Sequence, residues 1–122
     1  MNGERPTILV VEDDEDVNEA ICSLLREHGF ATITVQNGVD ALAQLRAHPH
    51  VRAIVLDVMM PVMNGATFRG AQLEDPAIAH IPLVLLTGRS DGKPLAQALN
   101  AIAFLQKPFD GDALLSILSP YR

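Results

Sequence analysis

The sequence has 122 residues, of which 48% are hydrophobic and 20% charged, a composition that fits one folded domain and excludes a disordered chain. Nine basic against fifteen acidic residues give a net charge of −6, which argues against direct binding to nucleic acid or to an anionic membrane. The amino terminus is polar and no apolar run approaches the roughly 20 residues of a membrane span. The single cysteine, Cys22, cannot form an internal disulfide, so we predict a cytoplasmic domain over residues 1–122 with its core at about 6–119.

Five short apolar runs alternate with longer amphipathic stretches, which predicts repeated βα units and a parallel sheet. The predicted strands are 7–11, 31–35, 53–56, 83–86 and 103–105. The second run alternates Thr32 and Thr34 with apolar residues, so we expect this strand at an edge of the sheet. The other runs show little polar alternation, as expected of strands that are covered by helices on both faces.

A helix is predicted after each strand from the spacing of the apolar residues and from the turn signals. The first predicted helix ends at His28-Gly29, and the second runs from Asn37-Gly38 to just before Pro49. The third runs from Asn64-Gly65 to near Asp75-Pro76. The fourth is short, from about Pro94 to Ala101, and the fifth starts at Asp110 as its N-cap. On the third helix we expect Phe68, Ala71 and Leu73 on the apolar face. The four histidines fall at helix ends or in loops, which favours solvated side chains over metal ligands.

Polar residues follow four of these strands at the point where each strand ends. Glu12 and Asp13 follow the first run, Asp57 the third, Thr87 the fourth and Lys107 the fifth. Ligands of an open parallel sheet bind outside the carboxyl ends of its strands, so we expect these side chains to converge. Two strand ends that deliver acids to one edge make a pocket for a hard divalent cation, because crowded carboxylates raise one another's pKa unless a cation is present.

The chemistry that fits this set of residues is phosphoryl transfer to a carboxylate. Asp57 can attack phosphorus if the incoming charge is neutralised, and Lys107 would place an ammonium beside it. Thr87 offers a hydroxyl to a phosphoryl oxygen, and Gly88 leaves room for a close approach. Each signal is weak by itself, since a strand-end aspartate often caps a loop and the acids of 12–16 suit the first turn of a helix. Their order at four strand ends is what predicts the site.

Four sequence blocks carry a family resemblance: ILVVEDD, VLDVMMPVMNG, LVLLTG and FLQKPF. Together they resemble the receiver domains of two-component response regulators, including the stand-alone chemotaxis type, over essentially the whole chain. The resemblance implies a flavodoxin-like, doubly wound five-stranded parallel sheet with strand order 2-1-3-4-5 and helices on both faces. It also implies that Asp57 takes a phosphoryl group from a histidine kinase or phosphotransfer protein. The domain would then be a switch that catalyses only its own phosphorylation and dephosphorylation.

The same resemblance implies roles for single residues around the acceptor aspartate. Glu12 and Asp13 match the acidic pair that binds Mg²⁺, with Mn²⁺ as an alternative ion. Met59 matches the position whose backbone carbonyl completes the metal site. Met59, Gly88 and Arg89 flank the phosphoryl group, and the bulk of the first and last predicts slow loss of that group.

Thr87 and Phe104 match the switch hydroxyl and the aromatic switch position of the family. A buried strand phenylalanine is the alternative interpretation of Phe104. In the family, phosphorylation repacks the surface formed by helix 4, strand 5 and helix 5. This chain departs from the pattern because the segment between Thr87 and Lys107 is short and Asn100 to Ala103 replaces the usual stretch before strand 5. We therefore expect a truncated or mobile fourth helix.

Three other functions compete with that of a receiver. A haloacid-dehalogenase-like phosphatase needs a second acid two residues after its nucleophile, where this chain has Met59. A flavodoxin relative needs a hydroxyl-rich phosphate loop where this chain has Glu12 and Asp13. A pseudo-receiver, which is a protein-interaction module independent of phosphorylation, would be expected to lose Asp57 or Lys107, and only the short fourth helix favours it. The output stays open between a partner protein, a lost DNA-binding domain and a further phosphorelay step.

Overall fold

The computed structural model describes residues 5–57, 64–88 and 92–122. Its strands are β1 (Thr7–Val11), β2 (Ala31–Val35), β3 (Ala53–Asp57), β4 (Leu83–Thr87) and β5 (Ala103–Gln106). Its helices are α1 (Glu15–Glu27), α2 (Gly38–Ala47), α3 (Gly65–Glu74), α4 (Gly92–Ala98) and α5 (Gly111–Leu118), followed by a 3₁₀ turn at Ser119–Tyr121. The strands form one parallel sheet in the order β2-β1-β3-β4-β5. The predicted α/β class, the flavodoxin-like strand order and the edge position of β2 are confirmed.

Helices cover both faces of the sheet, which explains the continuous apolar runs of its central strands. Every residue of β3 and of β4 is buried, whereas the edge strands β2 and β5 are only partly buried. Leu9 and Leu56 face the core that α2, α3 and α4 cover, and their neighbours Val10 and Val55 face the core that α1 and α5 cover. This sandwich holds the carboxyl ends of the strands together at one edge.

In the part of the chain that the structure describes, four helices begin at a side-chain cap that fixes where the preceding loop ends. The caps are Asp14, Asn37, Asn64 and Asp110, whose side-chain oxygens accept backbone N–H groups of the first turn. The predicted cap at Asp110 is therefore confirmed. Asp14 comes directly after the acids of the first strand end, so its cap also orders the loop that carries them.

The fourth helix is short, as predicted, but its bounds differ from the prediction. It spans seven residues, Gly92–Ala98, rather than about 94–101. Pro94 lies in the first turn, where a missing N–H removes no hydrogen bond within the helix, so the helix can start upstream of it. The chain turns away at Asn100, whose φ of 54° is left-handed and incompatible with a continued helix.

The predicted apolar face of α3 is wrong at one of its three positions. Phe68 is buried as expected, but Leu73 is 44% exposed. Arg69 and Gln72 are buried in its place, at 5% and 0% exposure. Both polar side chains are accommodated because backbone carbonyls from later loops accept their hydrogen bonds.

The histidines lie at the ends of α1 and α2 or in turns, as predicted. Cys22 is buried in the core beneath α1. Within the described ranges, no helix has the length and apolar character needed to cross a bilayer.

Candidate functional site

The carboxyl ends of β1 and β3 bring three acids together, and we call Glu12, Asp13 and Asp57 the acidic pocket. A carboxylate oxygen of each lies within 4.8 Å of the others. Glu12 is fully buried and Asp57 is 5% exposed, whereas Asp13 is exposed. One detail of the prediction is wrong: Asp57 and Thr87 do not follow their strands but are the last residues of β3 and β4. Both are therefore held by the sheet itself rather than by a loop.

The side chain of Lys107 reaches across the sheet edge to the acidic pocket. Its Nζ lies 2.5 Å from Glu12 Oε1 and 3.4 Å from Asp57 Oδ2. The backbone N–H of Lys107 donates to the carbonyl of Thr87 at 2.7 Å, and the peptide bond to Pro108 is cis. One ammonium group thus faces two buried carboxylates.

Crowding of these charges changes the protonation of the pocket. Burial, together with the hydrogen bond and the charge of Asp57, raises the pKa of Glu12 to about 7, and Lys107 offsets only part of this rise. Burial lowers the pKa of Lys107, but Glu12 and Asp57 outweigh that effect and hold the pKa above its ordinary value. A divalent cation fits this donor set, because carboxylate oxygens are hard ligands and a cation favours ionised Glu12.

The predicted switch residues lie beside the pocket on β4 and β5. Thr87 is fully buried, and Gly88 after it is exposed. Phe104 pairs with Leu85 across the β4–β5 ladder and is 37% exposed, so it is not the buried strand phenylalanine of the alternative interpretation. The switch role itself stays a prediction. Met59 and Arg89 lie outside the described residues, so their predicted roles also stay predictions.

Comparison with known proteins places this geometry in a family. The sequence model of the response regulator receiver domain matches residues 8–119, a range that holds the acidic pocket, Thr87 and Lys107. The chain belongs to this family. In overall fold, the receiver domain is similar to the chemotaxis response regulator CheY4 of Vibrio cholerae, with a TM-score of 0.87 and 27% identity over 98% of this chain and 100% of that one.

Two curated relatives are longer proteins that contain a segment similar to this chain. The receiver domain is 32% identical to the transcriptional regulatory protein CpxR homolog of Haemophilus influenzae, over 89% of this chain and 47% of that protein. It is also 32% identical to the autoinducer 1 sensor kinase/phosphatase LuxN of Vibrio harveyi, over 97% of this chain but 14% of that protein. The receiver domain therefore spans about half of the first relative and a small part of the second.

A buried residue next to the acidic pocket was missed by the sequence reasoning. Asn18 of α1 is 6% exposed, and its side-chain amide donates to the carbonyls of Glu12 and Val35. The signal was available, because Asn18 shares a helix face with the apolar Ile21 and Leu25. A polar residue on such a face needs a buried partner, and here the partners are strand ends of the receiver domain.

The position of the Phe104 ring depends on a glycine at the start of α4. A Cβ atom at Gly92 would lie 2.6 Å from Phe104 Cδ2, which is too close, and 3.1 Å from Thr87 Cγ2, which is tighter than an ordinary contact. Gly92→Ala is therefore expected to move the partly exposed Phe104 ring outward and to shift its aromatic NMR signals. Gly88→Ala is the control, because a Cβ atom there meets nothing within 4 Å. Phe104 signals that respond equally to both variants would contradict the prediction.

Proposed function

We propose that this receiver domain accepts a phosphoryl group on Asp57 from a phosphohistidine of a histidine kinase or phosphotransfer protein. The observation that carries the proposal is the placement of Asp57, 5% exposed, with the Lys107 ammonium 3.4 Å from Oδ2. The Asp57 oxygen forms a P–O bond as the P–N bond to the donor imidazole breaks, and the imidazole leaves with the electron pair and takes a proton. Lys107 neutralises charge that would otherwise oppose the attack.

The acidic pocket would hold the divalent cation that this transfer needs. Carboxylate oxygens of Glu12, Asp13 and Asp57 are the proposed ligands, and the Met59 carbonyl is a further proposed ligand outside the described residues. Bound Mg²⁺, or Mn²⁺ in its place, supplies positive charge to the phosphoryl oxygens. Glu12 would give up its proton when the cation binds, because burial and the neighbouring Asp57 raise its pKa to about 7 and a bound cation favours the ionised carboxyl group.

Thr87 and Phe104 are the proposed switch. The buried Thr87 hydroxyl would donate to a phosphoryl oxygen on the neighbouring Asp57, drawing the end of β4 toward the new dianion. Phe104 lines a surface pocket of about 540 Å³ between α4 and β5, so a change in its ring position alters the shape of this surface. The response would then be read by an output domain or partner protein at the surface formed by α4, β5 and α5.

An apolar groove beside the acidic pocket fits a helical phosphoryl donor. The groove has a volume of about 720 Å³ and lies between α1 and the loop from β5 to α5. Its apolar lining comes from Val17, Ala20, Ile21, Leu24, Pro108 and Phe109. Lys107 lines the groove and also contacts Glu12 and Asp57, so a helix docked here would place a donor histidine near the acceptor.

We propose that the reaction takes place in the cytoplasm and that the domain spans about residues 6–119.

Intact-mass spectrometry after incubation with acetyl phosphate and Mg²⁺ tests the proposal. One added phosphoryl group is expected in the wild-type protein and none in Asp57→Asn or in the presence of EDTA. A wild-type protein that takes no phosphoryl group, and that binds neither Mg²⁺ nor beryllofluoride, would instead be a pseudo-receiver. An adduct that persists in Asp57→Asn would place the acceptor elsewhere.

A further inference from the structure

The side chain of Asn18 joins the ends of two strands behind the acidic pocket. Its Nδ2 donates to the carbonyl of Glu12 at 3.1 Å and to the carbonyl of Val35 at 3.2 Å, so both amide hydrogens are used. Its Oδ1 accepts from the Sγ of Cys22 at 3.3 Å. The side chain is therefore satisfied at every polar atom while being almost completely buried.

These contacts hold the backbone of the loop that carries Glu12 and Asp13 in place. The Glu12 N–H donates to the Val35 carbonyl at 3.1 Å, while the Glu12 carbonyl accepts from Asn18, so both backbone groups of Glu12 are held. The backbone N–H of Asn18 donates to the carbonyl of Asp14 at 2.9 Å. Asp13 thus lies between two carbonyls that are both bonded to Asn18.

We propose that Asn18 is a positioning residue for the acidic pocket, which orients Glu12 and Asp13 for a divalent cation. This inference rests on the proposed function, since it concerns the cation that the phosphoryl transfer needs. Asn18 itself would touch neither the cation nor the phosphoryl group, because its donors end on backbone carbonyls. Residues behind the ligands of a metal commonly change its affinity by about ten- to a hundredfold when they are replaced.

Calorimetric Mg²⁺ titration of the wild type, Asn18→Leu and Leu25→Val tests the role of Asn18. Leucine keeps most of the buried volume but donates to neither carbonyl, so we expect Mg²⁺ affinity to fall by at least about tenfold. Leu25→Val changes the same buried face of α1 but removes no hydrogen bond of Asn18 or of the loop, so its affinity is expected to stay within about twofold of wild type. As a metal-free readout, the Asp14 amide, which donates to Glu12 Oε2 at 3.4 Å, is expected to exchange its hydrogen faster in Asn18→Leu.

The outcomes separate this inference from the proposed function. Wild-type Mg²⁺ binding with unchanged affinity in folded Asn18→Leu would overturn the positioning role and leave the proposed function standing. An equal loss in Leu25→Val would also overturn it, because general disturbance of the buried face of α1 would then explain the effect. A wild-type protein that binds no Mg²⁺ would overturn both. If Asn18→Leu does not fold, Asn18→Ser replaces it, and wild-type affinity in that variant overturns the inference.

Discussion

Raising the pH from about 5 to about 8 is expected to lower the free energy of unfolding of the metal-free protein by about 2 kcal/mol. The cause is Glu12, whose pKa rises from 4.5 to about 7 on folding because its carboxyl group is buried beside Asp57. Between these two pKa values the folded chain holds more protons than the unfolded chain, so stability falls as the pH rises and stops falling once Glu12 is ionised in both states. Lys107 affects the free energy of unfolding only at higher pH, because its raised pKa lies above that of an ordinary lysine.

Urea unfolding at several pH values, in EDTA and in Mg²⁺, measures this effect. Mg²⁺ is expected to remove most of the loss at high pH, because a cation in the acidic pocket favours the ionised carboxyl group of Glu12. Its stabilisation should therefore grow as the pH rises. A metal-free stability that is flat across this range would contradict the assignment of a raised pKa to Glu12.

Asp57→Asn provides a sharper form of the same test. Removing the neighbouring charge is expected to flatten the pH dependence and to raise the metal-free stability at about pH 8 by about 1 kcal/mol. Asp16→Asn is the matched control, because it removes an exposed carboxylate from the first turn of α1 and should change stability by less than about 0.5 kcal/mol. Equal effects of the two substitutions would rule out charge crowding as the cause.

Arg69→Met is expected to lower the free energy of unfolding by about 2–4 kcal/mol. The buried guanidinium group of Arg69 donates to the carbonyls of Leu99 at 2.9 Å and Asn100 at 3.1 Å, and to Gln72 Oε1 at 2.7 Å. Methionine fills much of the volume but donates no hydrogen bond, so these acceptors would lose a partner. Because these bonds connect α3 to the turn after α4, the amide hydrogens of α4 should also exchange faster.

Arg46→Met is the matched control for Arg69→Met. Arg46 pairs with Asp75 at 3.2 Å on the surface, where its side chain is 55% exposed. Exposed ion pairs of this kind contribute little, so the same chemical change is expected to cost less than about 0.5 kcal/mol. Urea denaturation of the two variants measures the difference, and equal losses of stability would show that burial of Arg69 has no special effect.

The strands and the residues at their ends could be predicted from the sequence because the relevant signals are local. A run such as Ile54 to Leu56 is apolar at every position, which requires burial on both faces of a sheet. The carboxyl ends of parallel strands share one edge, so Asp57 and Lys107 could be placed near each other before any coordinates were known. Local turn chemistry also identified the cap at Asp110.

The buried polar contacts could be located only in the tertiary structure. Leu73 was expected on the apolar face of α3, yet Arg69 is buried there instead. Arg69 can be buried because a carbonyl that accepts its hydrogen bond lies about 30 residues later in the chain. Asn18 and the raised pKa of Glu12 depend in the same way on contacts between separate strands and helices.

The sequence by itself thus determined the fold class, the strand order through the family resemblance, and which polar residues end the strands. The tertiary structure decided which polar groups are buried, how they are paired and how the charges of the acidic pocket affect one another. The physical reason is that apolar burial is an average property of a face, visible as a pattern of residue types. A polar group, by contrast, is buried only where a specific partner reaches it, and such partners lie at sequence separations that no local pattern records.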